Sequence, residues 1–236
     1  MSATRPALIV FCREPIVHQV KTRLLDAITP AAAAALSDAF IRDALAKAVV
    51  ARPSRIVIAA STPDGARSSK YFRRLARRFG ADLIDQGKGS LGQRMARVLA
   101  PFCARGALLI GTDTPSLPAE LLAVSLDGLA RSRVLIAPSL DGGYYAIGVR
   151  GAMPPIFAGI RWGSAGVFAA TIDRLRRAHV AYRVGPAWYD VDRWVDVVLL
   201  LAHLRLLAQS DRGNRTSPCP ATESVLKRLG VLRHDR

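Results

Sequence analysis

The sequence predicts an α/β protein in which a mostly parallel sheet is covered by helices on both faces. Two observations carry this expectation. Short apolar, β-branched runs alternate along the chain with helix-length segments, which is the pattern of βαβ units. Half of the 236 residues are hydrophobic, enough for a sizeable core and too many for global disorder.

The elements follow in order. Ala7–Cys12 is an apolar run that reads as the first strand, followed by a polar loop. Thr29 and Pro30 read as an N-cap and a first helical residue, opening an Ala-rich helix. Arg55–Ser61 is β-branched and ends in the turn Thr62-Pro63-Asp64-Gly65. Ser68–Gly80 is an amphipathic helix with Gly80 as its stop. A short strand over Ala81–Gln86, a helix over Gly89–Gly106 and a strand over Ala107–Asp113 come next. A helix from Pro118, strands at Arg133–Pro138 and Tyr144–Val149, and a helix from about Gly166 continue the series. A strand at Ala181–Gly185 and a helix from Trp194 to about Gln209 complete it. Residues 1–210 are expected to form a single domain, with 211–236 a peripheral or mobile tail carrying one helix-like piece near Ser224–Leu229.

Composition narrows the function classes. The most apolar run, at Val197–Leu207, is interrupted by His203 and Arg205, so no membrane span is expected. Met1–Pro15 reads as leading into a first strand rather than as a signal peptide. Three scattered cysteines, Cys12, Cys103 and Cys219, suit a reducing, cytoplasmic setting and no CxxC metal site. The formal charge of +16 comes from five lysines and 29 arginines. These are spread over helical faces without aromatic interleaving, which weighs against a nucleic-acid partner and still favours an anionic small substrate. His18, His179, His203 and His234 fall in unrelated contexts, so neither a Ser-His-Asp set nor a zinc site is expected.

Four segments chemically suited to a site follow strands, and in a right-handed parallel sheet such loops collect at one edge. Arg13–Leu24 offers Lys21 and Arg23 beside the start of a helical turn, suited to phosphates, without the glycines of a Walker or dinucleotide loop. Gly87–Met95 is Gly-rich and leads into a helix, which lets backbone approach a ligand around Gly89. Asp113 ends an apolar strand, and Pro115 keeps Thr114 out of the helical region. A lone strand-end carboxylate near basic residues suits Mg²⁺ held jointly with substrate phosphates. Asp141-Gly142-Gly143 is a turn running into Tyr144 and Tyr145, whose rings must take opposite faces. Further on, Asp190 and Asp192 share one side of an extended segment, and either can complete a metal site with Asp113.

Taken together, Val20–Leu25 (VKTRLL), Gly89–Met95 (GSLGQRM), Gly111–Pro118 (GTDTPSLP), Ala137–Gly148 (APSLDGGYYAIG), Ile160–Thr171 (IRWGSAGVFAAT) and Tyr189–Asp192 (YDVD) resemble one family. It is the bacterial GT-A-like family of arsenosugar-biosynthesis-type glycosyltransferases within the nucleotide-diphospho-sugar transferases. Its wider relatives are the 2-phospholactate and molybdenum-cofactor guanylyltransferases. The resemblance implies a three-layer α/β/α sandwich with a mixed, mainly parallel sheet. It implies Asp113 and Asp192 as metal ligands, and Lys21, Arg23, Arg94 and Gly89 as phosphate or nucleotide contacts. Gly142, Gly143, Tyr144 and Trp162 match the acceptor or sugar pocket. Two places depart from the family's pattern: His18-Gln19 replace a Pro-Gly pair, and Arg193-Trp194-Val195-Asp196 replace Thr-Pro-Glu-Asp.

The expected activity is Mg²⁺- or Mn²⁺-dependent transfer from a nucleotide sugar to a small-molecule acceptor. Asp141 is the expected base, and Lys21 and Arg23 the groups that stabilise the leaving diphosphate. Nucleotidyl transfer from an NTP to a phosphorylated small molecule is the alternative on the same scaffold. Nucleic-acid binding is the alternative from another class.

Overall fold

The computed structural model describes residues 5–210 and 217–232. Among them a seven-stranded sheet has the order β3-β2-β1-β4-β6-β5-β7. Its strands are β1 (Ala7–Arg13), β2 (Ile56–Ser61), β3 (Asp82–Asp85), β4 (Ala107–Ile110), β5 (Val134–Pro138), β6 (Tyr144–Val149) and β7 (Tyr182–Val184). All neighbours are parallel except β6, which runs antiparallel to both β4 and β5. The sheet is therefore mixed and mainly parallel, and β5–β6 is the hairpin that the Asp-Gly-Gly turn foretold.

The helices are α1 (Pro30–Ala51), α2 (Lys70–Phe79), α3 (Leu91–Leu99), α4 (Ala119–Ala130), α5 (Val167–Arg177), α6 (Trp194–Ser210) and α7 (Pro220–Arg228). Local chemistry starts and stops them. The Thr29 side chain accepts from the Ala32 amide and Pro30 occupies the first turn of α1. Ser69 caps α2, and Gly80 closes it in the left-handed conformation. Ser90 and Gln93 form a reciprocal capping box on α3. The helix expected as far as Gly106 stops at Leu99, because Pro101 admits only a 3₁₀ turn over Ala100–Phe102.

Period-two alternation sorts the strand residues into two cores. Leu8, Val10, Ile58 and Leu108 pack with α1, α2 and α4 on one face. Ile9, Val57, Leu109 and Ile147 pack with α3 and α5 on the other. A third cluster joins the outer face of α1, through Leu36 and Phe40, to α6 and α7. Beyond residue 210, where the sequence suggests a peripheral or mobile tail, α7 lies against α1, with Cys219, Val225 and Leu226 buried. Thr222 is fully buried there as well, its hydroxyl donating to Asp43. His234 lies outside the described residues.

Candidate active site

Chain direction along the sheet sets the site. From β1 the chain passes to β2 on one side, while β4 lies on the other, so the crevice between the carboxyl ends of β1 and β4 is a switch point. A cleft of about 830 Å³ opens there. Lys21, Arg23, Arg94, Asp113, Asp141, Gly143, Tyr144, Trp162, Asp190 and Asp192 all reach its wall.

At one end stands an ion cluster. The Lys21 ammonium donates to Asp113 Oδ1 at 2.7 Å, Asp192 Oδ1 at 2.8 Å and the Val191 carbonyl at 2.8 Å. An ammonium has three N–H groups, and here all three are engaged within the protein. Its side chain is only 6% exposed and lies 5.0 Å from the centroid of the Phe40 ring. Burial, the largest single influence, pushes the Lys21 pKa down. The attraction and hydrogen bonds of Asp113 and Asp192 together outweigh it and hold the amine above its ordinary value. Burial likewise pushes Asp192 up, and Lys21, Arg23 and Arg193 outweigh it and hold that carboxyl below its usual range. The sequence suggests a phosphate contact for Lys21; in the structure Lys21 joins two carboxylates from distant segments. Arg23, more than half exposed and 3.7 Å from Asp192 Oδ2, keeps the accessibility that Lys21 lacks.

Backbone contacts fix both carboxylates. The Val191 amide donates to the Asp113 carbonyl at 2.8 Å, tying the two segments together. Asp196 Oδ2 accepts from the amides of Asp192 and Arg193, so α6 has a capped start ahead of the bulky Trp194. The first loop turns without a glycine: His18 and Lys21 take φ of 68° and 48°.

The β5–β6 turn supplies the opposite side. Asp141 Oδ1 accepts from Ser139 Oγ at 2.7 Å and the Gly143 amide at 2.8 Å, which leaves Oδ2 for other work. Gly142 stands behind the wall: at φ 88° a Cβ would overlap the Ala165 carbonyl, so glycine permits the loop to close on the segment before α5. Tyr144 packs in one core and Tyr145 in the other, as their alternation requires. Tyr144 meets Trp162 edge-on at 6.3 Å, and Tyr145 donates to the Pro186 carbonyl. Asp190 is pushed up to about 7, first by burial and then by repulsion from Asp141, Asp113 and Asp192.

The third side is basic. Arg94 donates to Gln86 Oε1 at 2.7 Å, and buried Gln86 is itself tied to the carbonyls of Cys12 and Ala59. Arg94 lies 5.6 Å from the Phe11 ring centroid, and burial first, then Arg13, pushes its pKa down. Gly89 does not reach the cleft wall. At φ 116° it shapes the turn that delivers Ser90 to the capping box of α3.

Sequence reasoning missed Arg13 and Gln86, although Arg13 ends β1 and Gln86 directly follows β3, the kind of position that singled out Asp113. It also missed Ser139 and Asp196. Asp196 had a legible signal, a carboxylate in the first turn of a helix.

Residues 44–164, just over half of the chain, match the family of uncharacterized proteins conserved in bacteria, DUF2064. The chain belongs to the DUF2064 family. None of the curated proteins matches it in sequence. Among solved structures, a protein from Desulfovibrio desulfuricans G20, provisionally assigned as a nucleotide-diphospho-sugar transferase, is 25% identical. It aligns over 97% of this chain and 96% of its own, with a TM-score of 0.81. CMP:2-keto-3-deoxy-manno-octonic acid synthetase, solved with CTP, is 13% identical over 88% of this chain and 100% of its own, with a TM-score of 0.54. A 4-diphosphocytidyl-2C-methyl-D-erythritol synthase from Anaerococcus prevotii DSM 20548 is 9% identical over 86% and 100%, with a TM-score of 0.55. The last two share the fold alone. This family member thus has the nucleotide-diphospho-sugar transferase fold, with its cleft at the switch point. No helix among the described residues is long and apolar enough to cross a membrane.

Proposed function

We propose that the protein is a metal-dependent transferase acting on a nucleotide-activated sugar, a GT-A-type glycosyltransferase of the arsenosugar-biosynthesis kind that its motifs resemble. The observation that supports this most directly is the pair of carboxylates, Asp113 and Asp192, gathered around one buried cation at the mouth of the β1/β4 crevice. The full-length likeness to a provisionally assigned nucleotide-diphospho-sugar transferase points the same way.

The donor set fits a hard divalent ion. Among the described residues no cluster of three or more acidic, histidine or cysteine ligands exists, which disfavours an all-protein cage. Two carboxylates beside a cleft suit Mg²⁺ or Mn²⁺ that completes its shell with water and phosphate oxygens. Asp113 and Asp192 would hold that ion, which supplies counter-charge to a departing diphosphate. Lys21 keeps the two carboxylates in register. Arg23 and Arg94 face the cleft and neutralise anionic oxygens of the donor. Asp141, with Oδ1 held by Ser139 and Gly143, presents Oδ2 to the acceptor hydroxyl as base. Trp162 and Tyr144 wall the acceptor or sugar side.

The test is thermal shift with Mg²⁺ or Mn²⁺ against a panel of nucleotide sugars and NTPs, because a ligand that binds only the native state raises its midpoint. Stabilisation by a nucleotide sugar that requires metal and disappears in Asp113→Ala is the expected result. Stabilisation confined to NTPs, with pyrophosphate as the released product, would replace glycosyl transfer by nucleotidyl transfer. No response to either class, with salt-sensitive binding of RNA or DNA, would overturn the reading.

A further inference from the structure

Beneath the Asp113 loop lies a buried polar cluster that plays no part in the proposed chemistry. Lys47, near the C-terminal end of α1, is 7% exposed, and its ammonium donates to the Pro115 carbonyl, two residues past Asp113. One turn earlier on the same helix, Asp43 is 2% exposed. Asp43 accepts from the Ala221 amide at 2.9 Å, the Thr222 amide at 2.8 Å and the Thr222 hydroxyl at 2.6 Å, all at the start of α7. The two charges are i,i+4 neighbours, yet among the described residues they form no ion pair, and each is committed elsewhere.

We propose that Asp43 and Lys47 are positioning residues that couple the docking of α7 to the placement of the Asp113 loop. The reason lies in how buried charges must be satisfied. While α7 supplies three donors, Asp43 is satisfied without Lys47, and Lys47 is left to pin Pro115. Withdraw those donors and Asp43 becomes a buried carboxylate without partners. The nearest cation is then Lys47, at a spacing where helix neighbours meet. Lys47 turns to Asp43 and releases the Pro115 carbonyl. The loop loses its support from below and keeps the Val191 amide on the Asp113 carbonyl and the Trp188 indole on Ser116 Oγ. Cys219 is the other titratable group that faces Lys47, and burial keeps its thiol neutral. The α7 segment thereby acts on the carboxylate end of the cleft without touching it. The relevance to catalysis rests on the function proposed above; the coupling itself does not.

Hydrogen exchange on the full-length protein tests this without any activity. Two reporters are the Leu117 amide, bonded to the Thr114 carbonyl, and the Val191 amide, bonded to the Asp113 carbonyl. Thr222→Val removes the shortest of the three donors and leaves the Ala221 and Thr222 amides, so Asp43 is under-satisfied and turns in part to Lys47. Exchange at both reporters is expected to rise by about tenfold, while amides in the centre of β2 stay at their original rates. Thr222→Ser keeps the hydroxyl and is expected to leave both reporters unchanged. Lys47→Met should free the reporters but leave the Ala221 and Thr222 amides protected by Asp43. In the double variant, Thr222→Val should add nothing further at the reporters, since the path through Lys47 is already cut. Loosening of α7 alone by Thr222→Val, or additive effects in the double variant, would overturn the coupling. Absence of metal-dependent ligand binding by the wild type would remove the proposed function and leave the exchange result standing.

Discussion

The chain buries two lysines within reach of carboxylates, and they behave in opposite ways. Lys21 sits in a loop with left-handed backbone and is held above its ordinary pKa because two carboxylates give it what burial takes away. Lys47 sits in a regular helix and is lowered to about 8, because burial outweighs the opposing influence of Cys219 and of Asp43, whose carboxylate is hydrogen-bonded to α7. Burial is nearly the same for both; the difference is whether the carboxylates are free to answer. Lys21 is the link that draws Asp113 and Asp192 together. Lys47 is a buried charge that the protein tolerates for the sake of a carbonyl it holds.

The contrast is tested most strongly by removing Lys21. Lys21→Met leaves Asp113 and Asp192 facing one another with only the exposed Arg23, 3.7 Å from Asp192, as a paired cation. Breaking a buried pair costs about 3–5 kcal/mol, and the partial exposure of both carboxylates brings the expected loss to about 3 kcal/mol. For a chain of this size that lowers Tm by roughly 6–12 °C. Millimolar Mn²⁺ should restore a large part of the loss in the variant, since an ion at the site proposed for Asp113 and Asp192 supplies the counter-charge that Lys21 gave. A variant as stable as wild type, or one indifferent to Mn²⁺, would mean that Lys21 does not organise the pair.

Next in size is a pH effect that only Lys47 should show. Its folded pKa lies below the unfolded one, so between about 8 and 10.5 the unfolded chain binds more protons and this group's contribution to stability rises with pH. The buried thiols Cys103 and Cys219, pushed up to about 11 and about 12, act in the opposite sense over the same range. The measurable quantity is therefore the stability difference between wild type and Lys47→Met. Denaturant titrations should show it growing by about 2 kcal/mol from pH 8 to pH 10. At pH 7 the same substitution should cost only about 1 kcal/mol, the worth of the lost hydrogen bond less the relief of an unfavourable burial. A pH-independent difference, or a cost at pH 7 equal to that of Lys21→Met, would erase the contrast between the two lysines.

The two regions also differ in how far the sequence discloses them. Strand–helix alternation, caps and breakers reveal most of the architecture, and Asp113 stands out because a carboxylate at the end of an apolar strand is chemically conspicuous. Asp192 and Lys21 are visible as candidates, but their pairing is not, since it depends on a contact spanning 171 residues of chain. Asp43 and Lys47 are invisible for a different reason. In sequence they form an ordinary i,i+4 pair on an Ala-rich helix, indistinguishable from a solvated salt bridge. Only the docking of α7, whose position no local pattern specifies, buries them and sends each to another partner. Gly89 is a different case: a Gly-rich loop before a helix suggests a ligand contact, and in the structure Gly89 shapes the turn, at φ 116°, that leads into α3.

The smallest effect probes the backbone that carries Lys21. His18 takes φ 68° where the resembling family places a Pro-Gly pair, so a residue with a Cβ occupies a conformation that glycine adopts freely. Left-handed backbone costs a side-chain-bearing residue about 1 kcal/mol, and glycine's greater freedom in the unfolded chain offsets part of the relief. His18→Gly should therefore stabilise the protein by about 0.5 kcal/mol, a rise in Tm of roughly 1–2 °C. The corresponding change in the other region, a glycine at exposed Val50 in the last turn of α1, should lower stability by up to about 1 kcal/mol, because helical backbone disfavours glycine. Opposite signs at the two positions would show that the loop holding Lys21 is strained where the helix holding Lys47 is not. Matching losses would show that the left-handed turn carries no strain for glycine to relieve.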